Sequence, residues 1–274
     1  MLLNYLFHLK KIFFLFFVFQ LSACAGSNDS GKSSNKFSEI ARHDSLITGL
    51  QEFSYSDEYL LGKFNPKTDS SFAVIPGRYC NREGMYLRKE TIAAFIKMYE
   101  AAKKEGVSLK IISATRNFNE QKTIWEAKWN GRRLVNGKNL AQTIKDETER
   151  AKTILRYSSM PGTSRHHWGT DMDLNSLENS YFNSVEGKKT YEWLKKNAAA
   201  FGFCQPYSTK SENRPNGFEE EKWHWSYMPL SSVILKEYSQ KIKTKNIAGF
   251  SGAETAVKLN IIEHYVKGIN PECR

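Results

Sequence analysis

The sequence predicts an α+β fold in which a small antiparallel sheet is flanked by helices. Three observations carry this expectation. Apolar residues recur at helical spacing in several stretches, the β-rich runs between them are short, and the two kinds of element alternate without the regular βαβ order that a parallel sheet demands. With 40% hydrophobic, 13% aromatic and 25% charged residues among 274, the chain can fill a core and is not a disordered polyelectrolyte.

Taken in order, Lys10 and Lys11 precede the apolar run Ile12 to Phe19, which leads to Leu21-Ser22-Ala23-Cys24. A charged start, an apolar run too short for a stable membrane span and a small-residue cleavage site read as a secretory signal over 1–23. The four residues ending in Cys24 resemble a bacterial lipobox, so Cys24 is expected to carry the lipid that anchors the protein to a membrane of the cell envelope, facing the periplasm or the outer surface. Residues 24–36, rich in Gly, Ser and Asn, cannot repay their ordering entropy and read as a flexible tether. Residues 37–74 mix a short amphipathic stretch (Ile40, Leu46, Ile47, Leu50) with turn residues and are expected to pack on the main domain, 75–245, which a helical tail over 246–274 follows.

Within that domain, Ile92, Phe95, Ile96, Tyr99 and Ala102 form a helical stripe inside Leu87 to Gly106, where the glycine marks the C-terminus. Ser108 to Ala114 is β-rich. Helices are expected over Asn119 to Trp129, Leu140 to Tyr157, Lys188 to Phe201, Ser231 to Lys241 and Glu254 to Val266. Strands are expected over Thr170 to Leu174, Phe203 to Tyr207 and Lys222 to Tyr227, and Pro161-Gly162 breaks the chain before the first of these. In an oxidising compartment the three remaining cysteines, Cys80, Cys204 and Cys273, allow one intramolecular bridge; Cys204 with Cys273 is the pairing expected, although spacing alone leaves connectivity open.

The formal charge of +11 suits an anionic neighbour. Nucleic acid is not expected, because no zinc-finger spacing, aromatic RNP strand or long basic block is present. A monomer is expected.

Chemistry concentrates in three places. Ser164 to Asp173 holds two histidines and two aspartates within ten residues, a supply of nitrogen and oxygen donors suited to zinc, although one such stretch can also be a satisfied polar network. In Glu221-Lys222-Trp223-His224-Trp225 a strand places His224 opposite its flanking indoles. Trp168 and Trp225 are then core residues and Trp223 a wall of the site. Glu221 reaches the same site only from a loop or bulge that opens the strand. Arg116, just past a strand end, could clamp a carboxylate or polarise a carbonyl with Gln121 beside it, or pair with Glu120 or Glu126 on the next helix. His43 and His264 lack neighbouring ligands and read as surface residues.

These three places, in this order and spacing, resemble the VanY-like zinc D-alanyl-D-alanine carboxypeptidases of the lysostaphin and hedgehog fold group. SATRNFNEQ matches Ser-x-x-Arg with Gln five residues on, SRHHWGTDMD matches Ser-x-His-x-x-Gly-x-x-x-Asp, and EKWHW matches Glu-x-x-His. The resemblance spans roughly Ile75 to Tyr227 and implies a hedgehog-like sheet carrying a zinc site. It makes His166, Asp173 and His224 the metal ligands and Glu221 the catalytic base. Arg116 then both assists catalysis and binds substrate, with Gln121 and Ser164 as further substrate-binding residues. His167 and Asp171 fall outside the motif. Three protein ligands leave one position for water, as in catalytic zinc sites. The implied substrate is the stem peptide of peptidoglycan, losing its C-terminal D-alanine. An L,D-carboxypeptidase, an endopeptidase on the same polymer or a non-catalytic zinc and peptidoglycan-binding module are the alternatives.

Overall fold

The computed structural model describes residues 54–274. The signal, Cys24, the tether, His43 and the amphipathic stretch at Ile40 to Leu50 lie outside the described residues.

The described residues begin with a short helix, α1 (Asp57–Leu60), capped by Ser56, whose hydroxyl accepts from the Tyr59 N–H. Strands β1 (Phe72–Val74) and β2 (Tyr86–Arg88) then pair antiparallel. Leu87 therefore belongs to a strand, and the expected helix starts two residues later as α2 (Lys89–Lys104), ending before Gly106 at φ 68°. Strand β3 (Ile111–Ser113) leads through the Arg116 loop to α3 (Phe118–Trp129), where Asn117 and Glu120 form a reciprocal capping box. The helix expected over Leu140 to Tyr157 is two helices, α4 (Leu140–Thr143) and α5 (Glu147–Ile154). The carboxylate of Asp146 caps the Glu149 N–H, and this competes with continuing the first helix.

Strand β4 (Asp171–Leu174), helix α6 (Val185–Asn197), strands β5 (Phe203–Cys204) and β6 (His224–Tyr227), and helix α7 (Met228–Lys241) follow. β5 stops early because Pro206 has no N–H to give to a ladder. The region expected as a last helix is broken into α8 (Thr255–Lys258) and a separate π turn (Ile262–Val266), with Asn260 between them at φ 45°. It buries Phe250, Leu259, Ile261, Val266 and Ile269 in one core with Trp125 and Trp129 of α3 and Leu60 of α1. Cys204 and Cys273 are disulfide-bonded, which ties the last residues to β5, and Cys80 is buried as a free thiol.

The main sheet is antiparallel in the order β3-β4-β6-β5. Strand periodicity divides its two faces. Met172, Leu174 and Trp225 enter a core with Phe95 and Met98 of α2 and Trp193 and Leu194 of α6. Asp171, Asp173, His224 and Ser226 occupy the opposite face, with Asp173 directly paired to His224 and Asp171 to Ser226. The register of these three apolar positions thus fixes where four polar ones point.

Candidate metal centre

His166 comes from a short 3-10 turn, Arg165–Trp168, that enters β4 through Gly169. Gly169 has φ 72°, and a Cβ there would stand 2.3 Å from the Phe72 ring, so only glycine permits this approach. The Nδ1–H of His166 donates to the Ala114 carbonyl at 2.8 Å, which leaves Nε2 as the lone-pair nitrogen. His224 is fixed the other way round: its Nε2–H donates to Asp171 Oδ2 at 2.9 Å, and Nδ1 is left facing inward.

These two free nitrogens converge on one carboxylate oxygen. Asp173 Oδ1 lies 3.4 Å from His166 Nε2 and 3.2 Å from His224 Nδ1, and all three side chains are buried. That oxygen has no hydrogen-bond partner. A tetrahedral zinc with bonds of ~2.0–2.1 Å separates its ligand atoms by about 3.3 Å, so the two carboxylate–imidazole separations match the ion, and all three atoms lie within 4.8 Å of one another. Electrostatics agree. Burial alone would drive the His224 imidazole neutral, but Asp171, Asp173 and Glu221 outweigh it and raise its proton affinity well above the ordinary histidine range. Burial opposes ionisation of Asp173, yet His166 and His224 hold it well below the usual carboxylate range. Burial, and then Arg116, lower the His166 pKa and keep it neutral, as a ligand must be. Asp173 and Glu221, both close to the inward-facing Nδ1 of His224, favour positive charge at that position, as a proton or as a metal ion.

Glu221 sits on the turn before β6, where its carbonyl accepts from the His224 N–H, and its Oε2 lies 3.4 Å from His224 Nδ1. It is on a loop rather than the strand, and so it joins the site face despite the wrong parity. Burial pushes its pKa up. Arg116 Nη1 lies 3.8 Å from Asp173 Oδ2 and donates to Ser113 Oγ, while Nε donates to Gln121 Oε1 at 3.0 Å. The pairings with Glu120 and Glu126 do not form, because Glu120 caps α3 and Glu126 bonds Lys122 and Ser251. Gln121 also donates through Nε2 to the Ser159 carbonyl, so both ends of its amide are engaged and it orients Arg116. Ser164 Oγ is buried without a partner and lines the same cleft, a space of about 480 Å³ that also exposes the metal triad, Glu221 and Trp223. Trp168 and Trp225 are core residues.

His167 points away from the triad. Its Nε2 accepts from the Gly162 N–H at 3.0 Å and its Nδ1–H donates to the Arg116 carbonyl at 2.6 Å, so it pins the loop that presents Arg116. Asp171 lies behind His224 rather than on the cleft wall, in a buried network with Arg165, Thr170 and Ser226. Its position two residues from Asp173 on the same strand face carried that signal. Tyr207, whose ring lies 4.6 Å from that of His224 and is tilted by 59° to it, had no signal beyond its aromaticity. His264 is exposed on the surface.

A family profile described as VanY: D-alanyl-D-alanine carboxypeptidase matches residues 84–230, just over half of the chain. The YodJ protein of Bacillus subtilis is 30% identical over 168 residues, 58% of this chain and 55% of its own. A D-alanyl-D-alanine carboxypeptidase of Enterococcus faecalis is 27% identical over 143 residues, 52% of this chain and 48% of its own. The chain thus spans about half the length of these two relatives. Among solved structures, the LD-carboxypeptidase LdcB aligns with a TM-score of 0.47 at 22% identity, covering 72% of this chain and 81% of that one. VanYB in complex with D-alanine-D-alanine aligns with a TM-score of 0.43 at 22% identity, covering 57% and 80%.

Proposed function

The chain belongs to the VanY D-alanyl-D-alanine carboxypeptidase family, and from that premise we propose that it is a zinc-dependent peptidase removing the C-terminal D-alanine of peptidoglycan stem peptides. The observation that carries the reading is the convergence of His166 Nε2, His224 Nδ1 and the unpartnered Asp173 Oδ1 at the base of a cleft, with Glu221 beside them.

His166, Asp173 and His224 would hold the ion; when bound, zinc supplies Lewis acidity that makes water nucleophilic at neutral pH and polarises a carbonyl. Glu221 accepts the proton of the attacking water and returns it to the leaving amine; its buried, raised pKa suits a group that must both take and give a proton. Arg116, held by Gln121 and Ser113, stabilises the oxygen on which negative charge develops. The free hydroxyl of Ser164 hydrogen-bonds the substrate. No side-chain nucleophile is needed, so no acyl-enzyme forms.

Matched tetrapeptide and pentapeptide stems, weighed after incubation with zinc and with a chelator, test the assignment. Tetrapeptide accumulating from pentapeptide is expected; tripeptide from tetrapeptide would make the enzyme an L,D-carboxypeptidase, and neither product at full zinc occupancy would leave a binding module. The N-terminal sequence supports a lipid anchor at Cys24, and Cys24→Ser should move the protein out of the membrane fraction.

A further inference from the structure

One end of the cleft is acidic and suited to a cation. Lys128 and Arg133 line its other end. Lys128 lies seven residues after Gln121 on α3, on the same helix face and about 10 Å further along the axis. Its half-buried ammonium donates to Ser158 Oγ and reaches none of the carbonyls that end α3. Arg133 lines the cleft beside it, and among the described residues neither side chain lies within 4.0 Å of a carboxylate. Burial, and then repulsion from Arg133 and Arg116, lower the Lys128 pKa to about 8, against a smaller opposing attraction from Glu221 across the cleft. A half-buried, unpaired ammonium is unfavourable unless something else supplies the charge.

We propose that Lys128, with Ser158 and Arg133, forms a carboxylate subsite that binds the side-chain carboxylate of the third residue of the stem peptide, away from the bond that is cut. This rests on the peptidase reading above. The ammonium and Arg133 supply charge-assisted hydrogen bonds, and Ser158, whose oxygen accepts from Lys128, keeps its O–H to donate. The spacing along α3 matches two to three residues of extended peptide, at ~3.5 Å each, between the Arg116 end and this subsite. That distance favours a side-chain carboxylate upstream of the scissile bond over the terminal carboxylate.

Binding can be read without turnover by calorimetry on zinc-loaded Glu221→Gln protein, comparing it with the Glu221→Gln, Lys128→Met double variant. Three pentapeptides serve as probes: one with meso-diaminopimelate at the third position, one with lysine there, and the first as its C-terminal amide. The diaminopimelate peptide should bind about tenfold more tightly than the lysine peptide, and Lys128→Met should erase that difference while zinc content and melting temperature stay unchanged. If the difference erased by Lys128→Met is instead the one between free acid and amide, the subsite takes the terminal carboxylate. Equal affinities for all three peptides, or a uniform loss in the Lys128→Met protein, would overturn the proposal. If the wild-type enzyme releases nothing from any peptide while the charge-dependent binding persists, the subsite stands and the peptidase reading falls.

Discussion

Replacing Asp171 with asparagine separates the support of the metal centre from the centre itself. Asp171 Oδ2 lies 2.9 Å from both His224 Nε2 and Arg165 Nε, and its Oδ1 accepts from Thr170 Oγ1 at 2.6 Å and Ser226 Oγ at 2.9 Å. The side chains of Asp171 and Arg165 are both fully buried, at 0% exposure. An amide of the same shape offers one acceptor oxygen where the carboxylate offers two, and it removes the one carboxylate within 4.0 Å of Arg165 among the described residues. Breaking a buried pair in this way costs about 3–5 kcal/mol, which for a domain near 200 residues lowers the melting temperature by roughly 10 °C. Separately, His224 loses the partner that fixes its tautomer and ring angle, and losses of that kind weaken metal binding by about 10–100-fold. Zinc affinity measured against a competing chelator, with melting curves of the zinc-free and zinc-loaded forms, reads both effects. An Asp171→Asn protein that binds zinc within about twofold of wild type would refute the role given to Asp171.

Three further outcomes follow from the same geometry. His167→Ala should keep full zinc content but lose about 3 kcal/mol of stability in denaturant melts, because a buried ring and two hydrogen bonds disappear; loss of zinc instead would mean that the histidine register is wrong. Glu221→Gln should retain zinc and lose turnover by ~10²-fold or more, and an active variant would point to another base. Replacing Cys204 and Cys273 with serine opens a loop of 69 residues and should cost about 4 kcal/mol on unfolding, with unchanged stability showing that the bridge does not form in the native protein.

Much of the site was legible because it is local. The spacing within Ser164 to Asp173 and within Glu221 to Trp225 places donors on a turn and on two strands, and the flanking Met172 and Trp225 fix the register that brings Asp173 opposite His224. What escaped is set by contacts between distant segments. Strands β1 and β2 are three residues each, too short for alternation to stand out against neighbouring helix formers. The break between α4 and α5 depends on a side-chain cap at Asp146 that propensity over the whole stretch hides. Lys128 is an ordinary exposed-looking lysine in the sequence; only its packing against Ser158, far along the chain, brings it to the cleft. Asp171 was visible as a ligand type, but whether it faces the cleft or supports a ligand from behind depends on Arg165 and Ser226.

The most direct test of the account is a metal titration of D-alanine release. Protein stripped with a chelator and returned to zinc should recover hydrolysis of a pentapeptide stem in proportion to added metal, saturating at one ion per chain, while His166→Ala and His224→Ala recover neither zinc nor activity. Hydrolysis that survives complete removal of the metal, or an inert protein at one zinc per chain, would contradict it.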